Sequence, residues 1–352
     1  LGLGDRPAAE MIRFMPEGGS VSGLLRSLSP SVELPGDVGP LPVHRQGSTA
    51  LGLLTLAQAM AVSGTGGIIV VDDLGEGLDA ASSHFIAATL RRTAAQCWAS
   101  TRRSHVAEAF EPEELVRLAR DQVGTRGVFY GKAPKTKAER LAARHRNLQL
   151  LPAVASRAVL VVEGPHDSAA LRALALKAAE DLGESLPVAR GVSIIDGAAA
   201  DGAGGSGGLA RLAASSRQLG LRTIAVLDHD GDGAAEDATL QATLATADVV
   251  VRLPNGHAIE LALLSGLDDT EILASLKELQ AAFGIALAPN IDALRGKNLL
   301  EAARKVLKSQ SGFHAQFIET LGAGRVPVVG LALLRTCLEA ACDRSKAGHI
   351  QL

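Results

Sequence analysis

AVLVVEGPHD (158–167) and TIAVLDHDGDG (223–233) are the two stretches that decide the fold predicted for this chain. Each is an apolar run that stops abruptly in acids, which is typical of a buried strand that ends at the edge of a sheet. The acids are Glu163 and Asp167 in the first stretch and Asp228 and Asp230 in the second. Because neighbouring carboxylates repel one another, their clustering favours a bound divalent cation. Carboxylate oxygens are the ligands that Mg²⁺ and Mn²⁺ prefer.

Strand and helix patterns alternate around these two stretches. DSAALRALALKAAEDL (167–182) and LARLAASSRQLG (209–220) have helical periodicity, whereas GVSIID (191–196) and DVVVRLP (248–254) are strand-like. Strands separated by helices predict parallel pairing with right-handed crossovers. The predicted fold class is therefore α/β, a parallel sheet flanked by helices, with both acidic sets at the carboxyl ends of strands, where such sheets place their sites.

Length and composition bound the class of protein. With 352 residues, 47% of them hydrophobic and 21% charged, the chain can form two or three cores. No apolar run approaches the ~20 residues of a membrane span, and a secretory signal pattern is missing. Cys97, Cys337 and Cys342 lack metal-ligand spacing, which favours a reducing compartment. We predict a cytoplasmic protein without a membrane partner.

The formal net charge of −3 means that any nucleic-acid contact must come from a local patch. GKAPKTKAERLAARHRN (131–147) is one such patch, and a solvated linker and helix face is the alternative interpretation. Its basic residues are Lys132, Lys135, Lys137, Arg140, Arg144 and Arg146.

IIVVDDLGEGLD (68–79) is a third apolar run that ends in acids. Nucleotide hydrolases hold magnesium and polarise the attacking water at such a strand end. Asp72 would bind the cation through water, Asp73 would act as the water-positioning acid or general base, and Asp79 lies in the loop beyond. A core strand capped by an acidic turn is the alternative.

Together with RQGSTALGLL (45–54) and WASTRR (98–103), this stretch resembles the signature loop, Walker B with D-loop, and switch strand of an ABC-type ATPase. The resemblance implies that residues 1–105 are part of an ATPase domain, that Asp72, Asp73 and Asp79 belong to its nucleotide site, and that the protein pairs as a homodimer through this domain.

Two departures limit this resemblance. Neither Gly-Lys pair, at 131–132 and at 296–297, is followed by Ser or Thr, so no phosphate-binding loop is recognised. Arg102 stands where the family has a histidine. The chain also begins with Leu1, and we interpret it as a fragment in which ATP would act only in the complete ATPase.

VVEGPHD (161–167) and VLDHDGDG (226–233), in that order, resemble the Toprim domain of topoisomerases, primases and recombination nucleases. With an ATPase-like segment upstream, the chain resembles an overcoming-lysogenization-defect (OLD) family endonuclease. The implied domains are the ATPase part at 1–105, a helical and basic connector at 106–154, a Toprim nuclease domain at 155–265 and a helical subdomain at 266–352. The implied activity is DNA cleavage with two metal ions.

The same resemblance implies roles for individual acids. Glu163 and Asp167 would hold one metal, while Asp228 and Asp230 would hold the other or bridge the two. Glu163 would also act as general acid or base. Outer ligands, each equally explained as a solvated surface acid, would be Asp232, Glu236 and Glu260.

Phosphodiester cleavage also favours a cation near the developing negative charge. LKSQSGFHAQF (307–317) supplies Lys308, and GAGRVPVVG (322–330) supplies Arg325. Lys308 fits the family pattern better, because it precedes a Gly-Phe-His-Ala helix start. His314 would either touch a phosphate or pack in the core.

Several alternatives stay open at this point. VLDHDGD (226–232) also resembles the nucleophile strand of haloacid-dehalogenase-type phosphatases, and Asp167 alone would serve as a helix cap. A different Toprim enzyme is a further alternative, although Tyr130, the sole tyrosine, lies outside the core pattern. The last is an ATPase-linked DNA-binding or regulatory protein whose metal site is not catalytic.

Overall fold

The computed structural model describes residues 12–16, 28–33, 40–42, 56–57, 61, 67–120, 124–131, 134–197, 206–229, 231, 233–309 and 312–352. Two units are formed, Leu1–Leu115 and Val116–Leu352, and each has its own core. The signature-like loop (45–54) and the predicted ligands Asp230 and Asp232 lie outside the described residues.

The first unit contains two small sheets. One is antiparallel, and its strands are β1 (Ile12–Pro16), β2 (Leu28–Glu33) and β3 (Pro40–Pro42). In the other, β4 (Ile68–Val71) pairs in parallel with β5 (Gln96–Ala99), and helix α1 (Ala80–Thr93) connects the two; the short helix α2 (Ser104–Ala107) follows. A strand, a helix and a second strand thus follow one another in this part of the chain. Ile69, Ile86 and Leu90 form its core, because one face of β4 packs against α1.

The second unit begins with a hairpin of β6 (Val116–Arg120) and β7 (Thr125–Phe129). The connector at 106–154 is expected to be helical, and this expectation is wrong at Val116–Arg120: a 3₁₀ turn at Pro112–Glu114 leads directly into strand β6. The strand is explained by Val116 and Leu118 alternating with Arg117 at the period of two that a strand requires. Arg117 stabilises this placement by donating hydrogen bonds to the carbonyls of Val154, Ser156 and Leu219.

A five-stranded parallel sheet forms the centre of the second unit, in the order β12-β11-β10-β8-β9. The strands are β8 (Ala158–Val162), β9 (Val192–Asp196), β10 (Arg222–Leu227), β11 (Val249–Arg252) and β12 (Gly348–Gln351). The α/β class and the parallel pairing are confirmed. β12 was not predicted; it returns from the segment expected to be helical and pairs with β11 at the edge.

Besides the basic helix α3 (Lys137–Ala153), the described part of the second unit contains eight further α-helices. They are α4 (Pro165–Leu182), α5 (Ser206–Gln218), α6 (Gly233–Leu244), α7 (Ile259–Leu264), α8 (Asp269–Phe283), α9 (Gly296–Ser309), α10 (Phe313–Thr320) and α11 (Val328–Cys342). Helices α7 to α11 pack on the same core as one face of the sheet.

Both faces of the sheet are covered. The crossover from β8 to β9 runs in the opposite direction along the sheet to the crossover from β9 to β10. Right-handed connections therefore place α4 and α5 on opposite faces. β8 is consequently buried along its whole length, which explains why its sequence is a continuous apolar run rather than an alternating one. The carboxyl edge is where polar side chains can emerge.

Candidate functional site at the carboxyl edge of the sheet

Strands β8 and β10 are hydrogen-bonded neighbours that run in parallel, with Val161 paired to Ala225. Glu163 directly follows β8, and Asp228 directly follows β10. Extending the register by two residues brings Glu163 level with Leu227, one residue before Asp228. Neighbouring strands lie about 4.8 Å apart, so both acids follow adjacent strand ends at the carboxyl edge of the sheet. The predicted position of Glu163 and Asp228 at the carboxyl ends of parallel strands is thus confirmed.

Asp167 lies in the first turn of α4, immediately beyond Glu163. Gly164 precedes the helix and Pro165 begins it, and the Asp167 carboxylate accepts a hydrogen bond from the backbone N–H of Gly164 at 2.9 Å. The capping role is therefore real, but it occupies only one oxygen, Oδ2. Burial raises the pKa of Asp167 to about 6, and the negative charge of Glu260 adds to this effect.

Glu260 lies in the first turn of α7, after β11, and is only 5% exposed. Its Oε1 lies 3.3 Å from Nε2 of His314, and its Oε2 lies 3.5 Å from Nζ of Lys308 and 3.7 Å from Nε of Arg304. Burial acts to raise the pKa of Glu260, but the hydrogen bond with His314 and the charge of Lys308 outweigh burial, so the pKa lies below its ordinary value. Glu260 is a buried anion surrounded by basic groups.

Two histidines complete this cluster. His314 in α10 is fully buried, so its side chain supports packing and the contact with Glu260 rather than contact with a phosphate. Its ring lies 5.1 Å from the ring of His166, which sits between Pro165 and Asp167. Burial, followed by the charge of His314, lowers the pKa of His166. Sequence reasoning missed His166, although its place inside the acidic motif was a signal.

The two predicted basic residues have different surroundings. Lys308, in the last turn of α9, contacts Glu260 and its charge acts on Asp167, while its side chain stays 49% exposed. Arg325 pairs instead with Glu271 at 2.6 Å. Arg304 was missed; it lies one helical turn before Lys308, a spacing that places both on one face of α9.

Glu236, predicted as an outer metal ligand, faces β11 instead. Its carboxylate contacts the guanidinium of Arg252, which is 7% exposed, and also accepts a hydrogen bond from the backbone of Gly231. Nε2 of His229 lies 3.5 Å away. Neutralising a buried arginine is a structural role, because leaving such a charge unpaired would be strongly destabilising.

The donor set at the edge has the right chemistry for a divalent cation. Glu163, Asp167 and Asp228 offer carboxylate oxygens, the ligands that Mg²⁺ and Mn²⁺ prefer. Within the described ranges, no three His, Cys, Asp or Glu side chains are already gathered as a metal site. Asp167 in particular is half-buried and has no basic side chain at hydrogen-bonding distance in this part of the chain, so a cation would stabilise its ionised form.

The acids of the ATPase-like segment are held by neighbours in the first unit. Ser100 donates to Asp72 at 2.5 Å and accepts from the backbone N–H of Asp73 at 2.8 Å. Arg102, at the position where a histidine was expected, lies 2.8 Å from the Asp73 carboxylate. Asp79 is the N-cap of α1, and both its oxygens accept from Ser82.

Tyr130 follows β7 and is 8% exposed. Its ring lies under the guanidinium of Arg146 at 5.9 Å, and burial raises the pKa of its phenol. A buried, protonated tyrosine is a poor nucleophile, which disfavours a topoisomerase of the type that attacks DNA through tyrosine.

Neither a protein-family model nor a curated protein matches the sequence. No helix in the described part of the chain is both long and apolar enough to cross a membrane. Conclusions about function therefore depend on the residues and their geometry.

Proposed function

We propose that this chain is a metal-dependent DNA endonuclease of the OLD type, with a Toprim nuclease site in its second unit. The observation that carries the proposal is that Glu163 and Asp228 directly follow two hydrogen-bonded parallel strands, with Asp167 in the first turn of the helix after Glu163. Carboxylates concentrated at the carboxyl edge of a parallel sheet suit phosphodiester hydrolysis with one or two divalent cations.

Glu163, Asp167 and Asp228 would hold the cations, together with the predicted ligands Asp230 and Asp232. Bound cations would activate the attacking water and neutralise the leaving oxygen of the phosphodiester. Glu163, which is partly exposed, is proposed to accept the proton from the attacking water.

Lys308 is proposed to stabilise the negative charge that develops on the phosphate. Its half-exposed ammonium group can reach a substrate, while its contact with the buried Glu260 restricts its position. Arg325, the other basic candidate, is engaged by Glu271 and has no such contact with the acidic edge among the described interactions. The structure therefore favours Lys308 of the two.

The first unit is proposed to be part of an ABC-type ATPase, through which the complete protein would bind ATP and pair as a homodimer. The parallel β4–α1–β5 arrangement with Asp72 and Asp73 after β4 supports the proposal. Asp79 is expected to act as a helix cap rather than as a nucleotide ligand, because both its oxygens are engaged.

A nicking assay tests the nuclease proposal. Supercoiled plasmid is incubated with the whole chain and Mg²⁺ or Mn²⁺, with EDTA as the metal-free control. Asp228→Ala is expected to abolish nicking, whereas Asp292→Ala, which removes a carboxylate that is 70% exposed and pairs with Lys277, is expected to retain it. Nicking that survives Asp228→Ala, or inactivity of the wild type with both metals, would refute the proposal.

A second candidate is an ATPase-linked DNA-binding protein whose acids bind metal without turnover. The cluster around Glu260 favours it, because this carboxylate is already neutralised by basic side chains and so resembles a structural ion-pair network. DNA binding by a wild-type chain that never nicks, in the same assay, would support this candidate.

A further inference from the structure

Helix α3 carries a stripe of positive charge that no part of the proposed site uses. Lys137, Arg140 and Arg144 are spaced by three and four residues, which places them on one face of the helix. All three are exposed, and none forms an ion pair with a described acid. Glu139, the one acid in this half of α3, has its carboxylate engaged by the backbone N–H groups of Lys135 and Thr136.

Arg217, Arg325 and Arg335 of the second unit each pair with an acid, whereas the three cations of α3 have no such partner among the described residues. In a protein of net charge −3, a row of unneutralised cations is a local feature rather than part of a general positive surface. Lys137, Arg140 and Arg144 together form this basic stripe.

Contacts at the other end of α3 fix its direction. The side chain of Gln149 accepts a hydrogen bond from the backbone N–H of Asp196, at the carboxyl end of β9. The hydroxyl of Ser156, just after α3, lies 2.6 Å from that of Ser193, near the amino end of the same strand. The helix therefore runs antiparallel to the strands, and its amino-terminal half lies beyond the carboxyl edge.

The length of that projecting half follows from helix geometry. Residues 137–148 precede Gln149, and at 1.5 Å per residue they extend about 18 Å past the end of β9. Their exposure agrees with this placement, because every residue from 135 to 141 is exposed. β9 is the direct neighbour of β8, whose end carries Glu163. The basic stripe thus stands on the same side of the sheet as the acidic site.

Building on the proposed nuclease function, we infer that the basic stripe contacts the phosphate backbone of duplex DNA and holds it across the carboxyl edge of the sheet. The stripe covers about 10 Å of helix axis, which corresponds to about three phosphates along one strand at 3.4 Å each. Proteins that bind single strands combine cations with aromatic rings on which bases stack. Helix α3 contains no Phe, Tyr or Trp, so its composition favours backbone contacts with a duplex.

The test is a binding measurement that does not require cleavage. Fluorescence anisotropy of a labelled duplex of about 30 base pairs is followed in EDTA over a series of salt concentrations. Because each phosphate contact contributes ~0.9 to the slope of log K against log salt, the triple variant Lys137→Ala, Arg140→Ala, Arg144→Ala is expected to reduce the slope by about 2–3. Its Kd at about 0.1 M salt should rise at least ~10-fold.

Two controls separate charge from fold. The triple variant Lys297→Ala, Lys305→Ala, Arg344→Ala removes the same charge from three exposed cations on other elements and should leave the slope unchanged. Exchanging Lys for Arg, and Arg for Lys, within the basic stripe keeps the charge and should keep the slope. Circular dichroism checks that α3 still forms, and the alanine substitutions favour this because Ala has the highest helix propensity.

Each outcome decides the inference. A salt slope that falls only in the stripe-to-alanine variant supports the inference that the basic stripe contacts duplex DNA. If the wild type binds in this way but does not nick DNA, that result counts against the nuclease proposal alone. An unchanged slope, a wild type that does not bind the duplex, or tighter stripe-dependent binding to a single strand of the same length overturns the inference.

Discussion

Asp167→Asn is expected to make the protein more stable while it removes a proposed metal ligand. The substitution keeps the size of the side chain, and its amide oxygen can still accept the hydrogen bond from the backbone of Gly164. What it removes is a half-buried negative charge on which the charge of Glu260 acts. A natural residue that destabilises its own fold is typical of functional sites, where stability is given up for activity.

The magnitude follows from the pKa of the carboxyl group. A rise from 3.8 to about 6 corresponds to a free energy on the order of 3 kcal/mol. Because the side chain keeps partial contact with solvent, we expect a gain in the free energy of unfolding of ~1–2 kcal/mol. The sign depends on pH: the ionised form is disfavoured in the fold, so the cost grows from pH 3.8 to about 6 and is complete above that range.

Urea unfolding in EDTA, followed by circular dichroism at about pH 7.5 and about pH 4, measures this effect. The gain from Asp167→Asn should be present at the higher pH and nearly vanish at the lower one. Asp181→Asn is the matched control, because a hydrogen bond from Lys177 lowers the pKa of Asp181 and its substitution should bring no gain. Equal effects at both pH values, or destabilisation by Asp167→Asn at the higher one, would refute the reasoning.

Three other outcomes are expected. Lys308→Met should lower the rate of plasmid nicking about 10²–10³-fold, while Lys305→Met, on the same helix, should not; equal rates for both would contradict the role of Lys308. Gly197→Ala should lower the free energy of unfolding in urea by about 1–3 kcal/mol, since its new Cβ would lie 2.5 Å from the backbone nitrogen of Leu209; an unchanged midpoint would contradict that contact. Millimolar Mg²⁺ should raise the Tm of the wild type, and Asp228→Asn should lose most of this increment; an undiminished increment would place the ion elsewhere.

The parallel sheet could be predicted because the sequence features that specify it lie within each strand and helix. Continuous apolar runs such as 158–162 need cover on both faces, and the helices between them leave parallel pairing as the natural solution. The exceptions have physical reasons. β12 is an edge strand whose residues, Gly348–Gln351, alternate between half-buried and exposed, so its short run carries little apolar signal. β6 is held by the hydrogen bonds of Arg117 to carbonyls far along the chain, which periodicity cannot reveal.

Of the residues in the candidate site, only those that directly follow a strand could be predicted. Glu163 and Asp228 follow apolar runs, so their place at the edge follows from topology. Arg304 and His166 were missed because they meet Glu260 or His314 through the packing of helices that are distant in sequence. Such convergence depends on the tertiary fold. Roles for Asp230 and Asp232, which lie outside the described residues, stay predictions.

Asp167 and Glu260 share one neighbourhood, yet their pKa values move in opposite directions. The hydrogen bond of His314 and the charge of Lys308 hold Glu260 ionised, whereas Asp167 has its one described hydrogen bond from a backbone N–H group. Basic side chains therefore neutralise Glu260, whereas the charge of Asp167 is not neutralised by a basic side chain in contact with it among the described residues. A divalent cation beside Asp167 would supply positive charge that this acid lacks, whereas beside Glu260 it would meet a carboxylate that basic side chains already neutralise. Since carboxylates whose environments separate their pKa values take different roles, Asp167 is better suited to hold metal and Glu260 to orient Lys308.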